Sequence, residues 1–264
     1  MSEQINYFKF YADKAIDQRA ILSHPPIAIN ITNTNYEFTP FVTYGNFSAI
    51  KGKGKSMKSF FKTALEACYI GGKAQNSFEN IHGLETKGKL VLSFDTEMGE
   101  FHVQQAQKRV LSMVGVETYA GLRTFALREF EPAERVEIID GILSLEAVSG
   151  RVGLVTIDGI ADLVSNVNDL KECNALITKL MQWSTKFNIA IVVVIHENHD
   201  GGKATGHLGS SIIKKCETTV SVAKSDEFVS VIPFATRNRP FDEFNFSIDE
   251  NGLPYETTTG IGSF

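Results

Sequence analysis

The sequence predicts an α/β fold with a mostly parallel central sheet and a C-terminal antiparallel extension. Strand and helix patterns alternate from Phe47 onward, which is typical of a parallel sheet with helices on both faces. Residues 152–157 and 189–195 are nearly all apolar, as expected of strands that are buried on both faces. After residue 218 the strand patterns follow one another without helices, which predicts an antiparallel meander.

The individual elements follow from the spacing of apolar residues and from turn and cap residues. A helix or loosely packed arm is predicted before Pro25 and Pro26, and a small hairpin follows it. Pro132 marks a helix start and Gly115 a helix end. The hairpin strands are predicted at 27–31 and 36–41, and the later strands at 47–51, 90–94, 122–127, 152–157, 189–195, 218–223, 228–235 and 244–248. Helices are predicted after residue 59, at 101–114, from 132 and at 169–187.

The length of 264 residues is compatible with one large domain or two small ones. No Pro/Gly/Ser-rich linker or internal repeat divides the chain. We therefore predict one main domain at residues 41–264, preceded by an N-terminal arm and hairpin at residues 1–40.

The composition excludes several classes of protein. A net charge of −5 argues against a polycation that coats nucleic acid or an anionic membrane, although a local basic patch remains compatible with it. The longest apolar run, 189–195, is far shorter than the ~20 residues that span a bilayer. Three widely separated cysteines give neither a disulfide framework nor the spacing of a metal site. We expect a cytoplasmic protein without membrane association.

The loop after the first strand of the main domain resembles a phosphate-binding loop. It fits the pattern G-x-x-x-x-G-K-[ST], except that a methionine replaces the second glycine. Backbone N–H groups of such a loop point at the phosphates, the lysine neutralises their charge, and the hydroxyl ligates Mg²⁺. The predicted nucleotide-binding residues are Gly52, Lys53, Gly54, Lys55, Ser56, Met57, Lys58 and Ser59, with Ser59 as a metal ligand.

Other interpretations of the same loop are open. A second register would use Gly54, Lys55 and Ser56, but it starts the loop inside the apolar strand. A third is similar to partition-type ATPases with an early lysine, here Lys53, although Lys55 stands where those have a glycine. The segment can also be a lysine-rich turn without a ligand, in which the additional lysines are only solvated.

Polar residues follow three further predicted strands. Asp158 ends the strand 152–157, Glu97 follows the strand 90–94, and His196 follows the strand 189–195. Because ligands bind at the carboxyl ends of parallel strands, we expect Asp158 to hold Mg²⁺, Glu97 to act as general base and His196 to sense the γ-phosphate. Taken singly, the three residues can also be a turn-capping acid, a solvated acid and a structural histidine.

Over roughly residues 40–250 the sequence resembles RecA-like P-loop ATPases, in particular the hexameric plasmid-replication helicases of the RepA type and AAA-family ATPases of bacterial mobile elements. The resemblance rests on the phosphate loop and on FDTE (94–97), LVTID (154–158), VVVIHENHDGGKATGHLGSSI (192–212) and TRNRPF (236–241). It implies a RecA-like three-layer sandwich, Mg²⁺-dependent ATP hydrolysis, a homo-oligomer such as a hexamer, and single-stranded DNA as partner. It also implies that Lys58 and Ser59 bind nucleotide phosphate and Mg²⁺, that Asp158 is the Walker B acid, that Glu97 is the catalytic base and that His196 is the sensor.

The resemblance further assigns residues that would act outside the subunit's own phosphate loop. Arg237 and Arg239 stand where related hexamers carry arginines that reach the neighbouring subunit's ATP. Lys203, in a glycine-rich loop at 198–207, and Lys214 and Lys215 are candidate DNA contacts. All five can equally be solvated surface residues. The leading hypothesis is an oligomeric DNA-associated motor in plasmid or transposon replication or mobilisation. The alternative is a nucleotide-dependent switch without helicase activity, and a third possibility, indicated by Met57 alone, is an interaction protein that does not hydrolyse ATP.

Overall fold

A computed structural model describes residues 5–33, 35, 37–84, 89–146, 148–197 and 206–257. The strands in these ranges are β1 (Ile27–Thr32), β2 (Phe38–Thr43), β3 (Phe47–Gly52), β4 (Ile81–Gly83), β5 (Leu90–Asp95), β6 (Leu122–Ala126), β7 (Val152–Asp158), β8 (Ala190–His196), β9 (Thr218–Lys224), β10 (Val229–Thr236), β11 (Phe244–Ile248) and β12 (Pro254–Thr257). The α-helices are α1 (Tyr7–Lys14), α2 (Lys58–Ile70), α3 (Glu100–Val114), α4 (Pro132–Ser144), α5 (Leu170–Phe187) and α6 (Gly206–Lys215). Short 3₁₀ helices lie at Gly72–Asn76 and Ile160–Leu163.

The central sheet has nine strands among the described residues, in the order β12-β11-β10-β9-β3-β8-β7-β5-β6. The six strands from β9 to β6 are mutually parallel, and β10, β11 and β12 extend the sheet in antiparallel fashion. β7 is buried along its whole length, and β8 is buried except at its last residue. The predicted fold class, a mostly parallel sheet with a C-terminal antiparallel extension, is confirmed.

The sheet separates two hydrophobic clusters, which makes the domain a three-layer sandwich. α2 and α3 cover one face, with Phe61 and Val110 in the first cluster. α4, α5 and α6 cover the other face, with Trp183 in the second cluster. Successive residues of one strand belong to different clusters, as Ala49 and Ile50 of β3 do, because side chains alternate across a strand.

The predicted hairpin is present and pairs with a further short strand. β1 lies between β2 and β4 in an antiparallel three-stranded sheet. Ala28 and Ile29 of β1 are buried in the same cluster as Phe61 of α2, so the hairpin shares the core of the main domain. The division of the chain at residue 40 stays a prediction. Only α1, before the hairpin, has no buried residue among the described helices.

The sequence did not predict α6, β4 or β12. α6 begins at Gly206, within the last two residues of the glycine-rich loop predicted at 198–207, and glycine and serine are poor helix formers. Leu208 and Ile212 of α6 are buried, so tertiary packing overrides the weak local preference. No helix in the described part of the chain is long and apolar enough to cross a membrane.

Candidate active site

In the loop between β3 and α2, the residue that replaces the second glycine of the motif has a backbone conformation that favours glycine. Met57, the residue before α2, has φ 70° and ψ 23°, in the left-handed region. Lys55 also has a positive φ of 62°. A non-glycine residue costs about 1–2 kcal/mol in this conformation. The local strain at Met57 therefore marks the position where the sequence departs from the motif.

The first glycine of the loop is required by space. A Cβ atom on Gly52 would lie 2.4 Å from the backbone oxygen of Val222 and 2.6 Å from Ser56 Oγ. No side chain fits there without moving β9. Gly52 thus lets the loop leave β3 in close contact with the neighbouring strand.

Lys58 is the first residue of α2, and its ammonium group folds back under the loop. Nζ donates to the carbonyl oxygens of Gly52 and Lys53, at 3.0 and 2.7 Å, and lies 3.3 Å from His196 Nδ1. Burial lowers the pKa of Lys58, and Asp158, Glu97 and Glu197 oppose that shift. The site therefore holds a largely buried cation at the start of the helix.

Glu97 and His196 are brought together from two strand ends. The Asp95 carboxylate accepts hydrogen bonds from the backbone N–H groups of Glu97 and Met98, at 3.0 and 2.7 Å, and so fixes the turn after β5. His196 Nε2 lies 2.9 Å from Glu97 Oε1. With Lys58 donating to Nδ1, a neutral imidazole would carry its proton on Nε2 and donate it to Glu97. This hydrogen bond is the main reason why the pKa of Glu97 is lowered, and Glu97 is therefore ionised at neutral pH.

Asp158 ends β7 in a buried position with an unused acceptor. Its Oδ2 atom has no hydrogen-bond partner among the described residues, and its closest cation is Lys62, with Nζ at 3.7 Å. Ser56 Oγ is likewise buried without a partner in that part of the chain. Buried polar atoms normally have hydrogen-bond partners, so Ser56 Oγ can accept one from a ligand, and Asp158 Oδ2 has, within the described ranges, only the ion pair with Lys62. A buried carboxylate beside a hydroxyl-bearing loop fits a hydrated Mg²⁺ ion.

These groups surround one cavity of about 320 Å³, which is within the usual range for small-molecule sites. Eight of the predicted residues line it, and the helix α3 supplies much of the opposite wall. The lining residues are Lys55, Ser56, Met57, Lys58, Ser59, Phe60, Glu97, Met98, His102, Gln105, Ala106, Arg109, Asp158 and His196. The structure thus places the side chains from four strand ends around a common space.

The geometry favours the register that uses Lys58 and Ser59. Ala49, which would open the second register, lies inside β3, and Lys55 is exposed. The roles given to Gly52, Lys53, Gly54, Ser56 and the other loop residues stay predictions.

Four of the predicted residues lie at the opposite, amino-terminal edge of the sheet. Arg237 follows β10, and its backbone N–H donates to the carbonyl of Glu217, which itself bonds to Phe47 at the start of β3. Lys214 and Lys215 end α6 just before β9. The structure therefore does not bring Arg237, Arg239, Lys214 or Lys215 to their own subunit's cavity. Lys203 lies outside the described residues.

A buried lysine beneath the cavity was not predicted from the sequence. Lys62 is 2% exposed and donates to Ser93 Oγ at 3.1 Å. Burial alone would lower the pKa of Lys62, but Glu66, Asp158 and Asp95 together raise it. The spacing of Lys58, Lys62 and Glu66, four residues apart on one helix, was the available signal, and such a pattern is usually an exposed helix face.

The wall of the cavity formed by α3 was also missed. Arg109 stacks over the Phe60 ring, with the guanidinium carbon 3.7 Å from the ring centroid. Nothing in the sequence of α3 distinguished this arginine from an exposed one.

Comparison with known proteins supplies the family. A family model described as an AAA domain matches residues 28–202, a range that contains the loop, Glu97, Asp158 and His196 but none of the residues at the amino-terminal edge. No curated protein matches the chain. Since the family match covers well over half of the 264 residues, the chain belongs to the AAA domain family of P-loop ATPases.

Proposed function

We propose that this ATPase hydrolyses ATP in the cavity between the phosphate loop and α3, with Mg²⁺ as cofactor. The observation that carries the proposal is the convergence of Lys58, Asp158, Glu97 and His196 on one cavity. Each of these residues comes from a different element, and each has the chemistry that phosphoryl transfer needs at that point.

The loop and the start of α2 would bind the phosphates. Backbone N–H groups at a helix N-terminus are suited to anions, and Lys58 supplies a positive charge that is already desolvated. When phosphate arrives, it competes with the carbonyls of Gly52 and Lys53 for that ammonium group. Ser59 and Asp158 would hold Mg²⁺, and the bound ion would neutralise part of the phosphate charge.

Glu97 would orient the attacking water and accept its proton. His196 bonds to Glu97 on one side and contacts Lys58 on the other. A change at Lys58 on phosphate binding is therefore transmitted through one imidazole ring to the base. This arrangement is the physical basis for the sensor role that we propose for His196.

The finer biological role that we propose is an oligomeric, DNA-associated motor in the replication or mobilisation of plasmids or transposons. Arg237 and Arg239 support this proposal, because they are exposed at the edge opposite to their own cavity, where another subunit could contact them. Lys214 and Lys215 are exposed at the same edge and are suited to DNA phosphate. We propose single-stranded DNA as the partner and a hexamer as the assembly.

The alternative is a nucleotide-dependent switch that controls a partner and does not unwind DNA. The N-terminal arm favours it, since Tyr7, Phe8 and Tyr11 of α1 are all more than three-quarters exposed. Exposed apolar side chains in such a cluster mark an interaction surface. Unwinding of forked DNA by a preparation with proven ATP turnover would decide for the motor.

The test of the ATPase proposal is turnover by Lys58→Ala and Asp158→Ala variants, with and without single-stranded DNA. Each is expected to lose roughly 10²–10³-fold in kcat, as when a single transition-state contact is removed. Lys179→Ala, which removes a half-exposed ion pair with Asp140 on the other face of the sheet, is the matched control and should retain turnover. Full activity of both site variants would refute the proposed site.

A further inference from the structure

Four charged side chains lie buried together beneath the phosphate loop. They are Lys62 and Glu66 of α2, Asp95 at the end of β5 and Asp158 at the end of β7, and each is at most 5% exposed. Asp158 and Asp95 belong to the proposed reaction or to the turn that carries Glu97. Lys62 and Glu66 have no role in the proposed reaction.

Lys62 occupies the centre of this cluster. Its Nζ lies 3.7 Å from Asp158 Oδ2 and 3.8 Å from Glu66 Oε1. It also donates a hydrogen bond to Ser93 Oγ at 3.1 Å. The lysine therefore contacts the oxygen of Asp158 that has no hydrogen-bond partner among the described residues.

Three hydrogen-bond contacts and the Lys62–Glu66 ion pair together fix the ammonium group from behind. Thr156 donates to Glu66 Oε1 and lies 3.0 Å from Ser93 Oγ. Lys62, Ser93, Thr156 and Glu66 thus form a closed circuit between α2, β5 and β7. A buried network whose polar groups have hydrogen-bond partners holds its side chains in one geometry.

The charges do not balance within the cluster. Lys62 is the one cation among three carboxylates, and removing it would leave Asp158 beside two other buried acids. Charges of the same sign repel in a medium of low polarity, and burial together with Asp158 raises the pKa of Asp95. The position of the Asp158 carboxylate consequently depends on Lys62.

We propose that Lys62 is a positioning residue that holds the Asp158 carboxylate in the orientation required for Mg²⁺. Lys62 lies one turn after Lys58 on the same helix, so α2 joins the phosphate-binding lysine and the support of the metal-binding acid in one rigid element. The inference rests on the proposed role of Asp158. Groups that orient a metal ligand typically contribute about 10–100-fold to metal affinity.

The experiment compares the Mg²⁺ dependence of four variants. Lys62→Met removes the charge and keeps the length, and it is expected to lower the thermal midpoint because it leaves buried acids unpaired. Lys62→Met/Glu66→Gln removes one charge of each sign and is expected to recover most of that midpoint. Lys62→Arg retains the cation. Lys179→Met/Asp140→Asn is the matched control, because it removes a half-exposed ion pair on the opposite face of the sheet.

Two readouts are needed. The first is the Mg²⁺ concentration for half-maximal ATP turnover, and the second is the Mg²⁺ concentration for half of the thermal stabilisation by a non-hydrolysable ATP analogue. We expect both to rise by roughly tenfold or more in the double variant, whereas binding of the analogue in EDTA stays within about twofold of wild type. Lys62→Arg should restore the Mg²⁺ dependence in part, and the control pair should leave it unchanged.

A folded double variant with wild-type Mg²⁺ dependence in both readouts would overturn the inference, since Lys62 would then only balance charge in the core. Wild-type protein without any Mg²⁺-dependent response to nucleotide would instead refute the proposed function, and the inference with it. Failure of the inference would thus be seen in the double variant, and failure of the proposed function in the wild-type protein.

Discussion

The two edges of the central sheet carry similar residues in opposite surroundings. At the carboxyl-terminal edge, Lys58 is 5% exposed and is held by two carbonyl oxygens and a histidine. At the amino-terminal edge, the side chain of Arg239 is 70% exposed and pairs with Glu37 at 2.7 Å. Arg237 donates to the carbonyl oxygen of Lys215.

The free-energy cost of the charged groups differs between the two edges because their burial differs. Burying a charge costs several kcal/mol unless partners compensate it, and Lys58 and Asp158 both have such partners. An exposed ion pair contributes about 0–1 kcal/mol and costs almost nothing to break. Little free energy therefore opposes a change of partner at Arg239, whereas the groups at the carboxyl-terminal edge are held by buried contacts.

The largest effect is expected at the exposed edge, provided that the chain assembles. Replacing the arginine that reaches the neighbouring ATP by alanine should reduce kcat by about 10³-fold or more, because that group stabilises the charge of the transferred phosphoryl. Arg237→Ala and Arg239→Ala should each be measured for kcat and for nucleotide affinity. Affinity is expected to change far less than kcat.

Mixed assemblies show whether the arginine acts on the ATP of a neighbouring subunit or within its own subunit. Arg237→Ala subunits have an intact cavity, and Lys58→Ala subunits have intact arginines. A mixture of these two inactive proteins should regain part of the activity if the arginine acts across an interface. A mixture that stays inactive, with proven co-assembly, would contradict the prediction.

A second prediction concerns DNA at the same edge. The double variant Lys214→Ala/Lys215→Ala should bind single-stranded DNA more weakly and reduce the slope of log affinity against log salt by about 1.4. Lys108→Ala/Lys171→Ala removes two exposed lysines from α3 and α5 and is the control. An equal loss in both double variants would show that only net charge matters and would leave no DNA contact at this edge.

A third prediction tests the coupling between His196 and Glu97 at the carboxyl-terminal edge. The hydrogen bond from His196 lowers the pKa of Glu97, so the carboxylate remains available as a base, and turnover persists, at pH values below the ordinary range of glutamate. His196→Ala leaves burial as the main influence, which raises this pKa. The acid limb of the pH profile of kcat/KM should therefore move to higher pH in His196→Ala and less in His196→Gln. An unchanged limb would exclude Glu97 as the group that titrates.

The proximity of the residues at the carboxyl-terminal edge follows from the sequence, but their contacts do not. Lys58, Glu97, Asp158 and His196 follow strand or loop patterns, and the carboxyl ends of parallel strands meet at one edge by geometry. Their proximity could be predicted without coordinates. Their hydrogen bonds could not, because they depend on side-chain positions from different elements.

Burial of charged residues was the least predictable property. Lys51, Lys53 and Lys55 stand in one lysine-rich run, yet Lys51 is buried in an ion pair with Glu197 and lies over the Phe234 ring, whereas Lys53 and Lys55 are exposed. Charge patterns along the chain do not reveal this difference, because the partners come from β8 and β10. The burial of Lys62 could not be predicted for the same reason, since its partners Ser93 and Asp158 come from β5 and β7.

The smallest predicted effect concerns Met57, whose backbone is left-handed. Met57→Gly should leave the free energy of unfolding within about 1 kcal/mol of wild type, since relief of strain is offset by greater freedom of the unfolded chain and by lost packing. Met57→Val should destabilise the protein by about 1–2 kcal/mol, because β-branched residues fit this conformation badly. Met98→Val, at a neighbouring cavity position without a positive φ, is the control for denaturant unfolding. Equal losses in the two valine variants would mean that Met57 contributes through packing alone, and the loop would then need no glycine-like backbone.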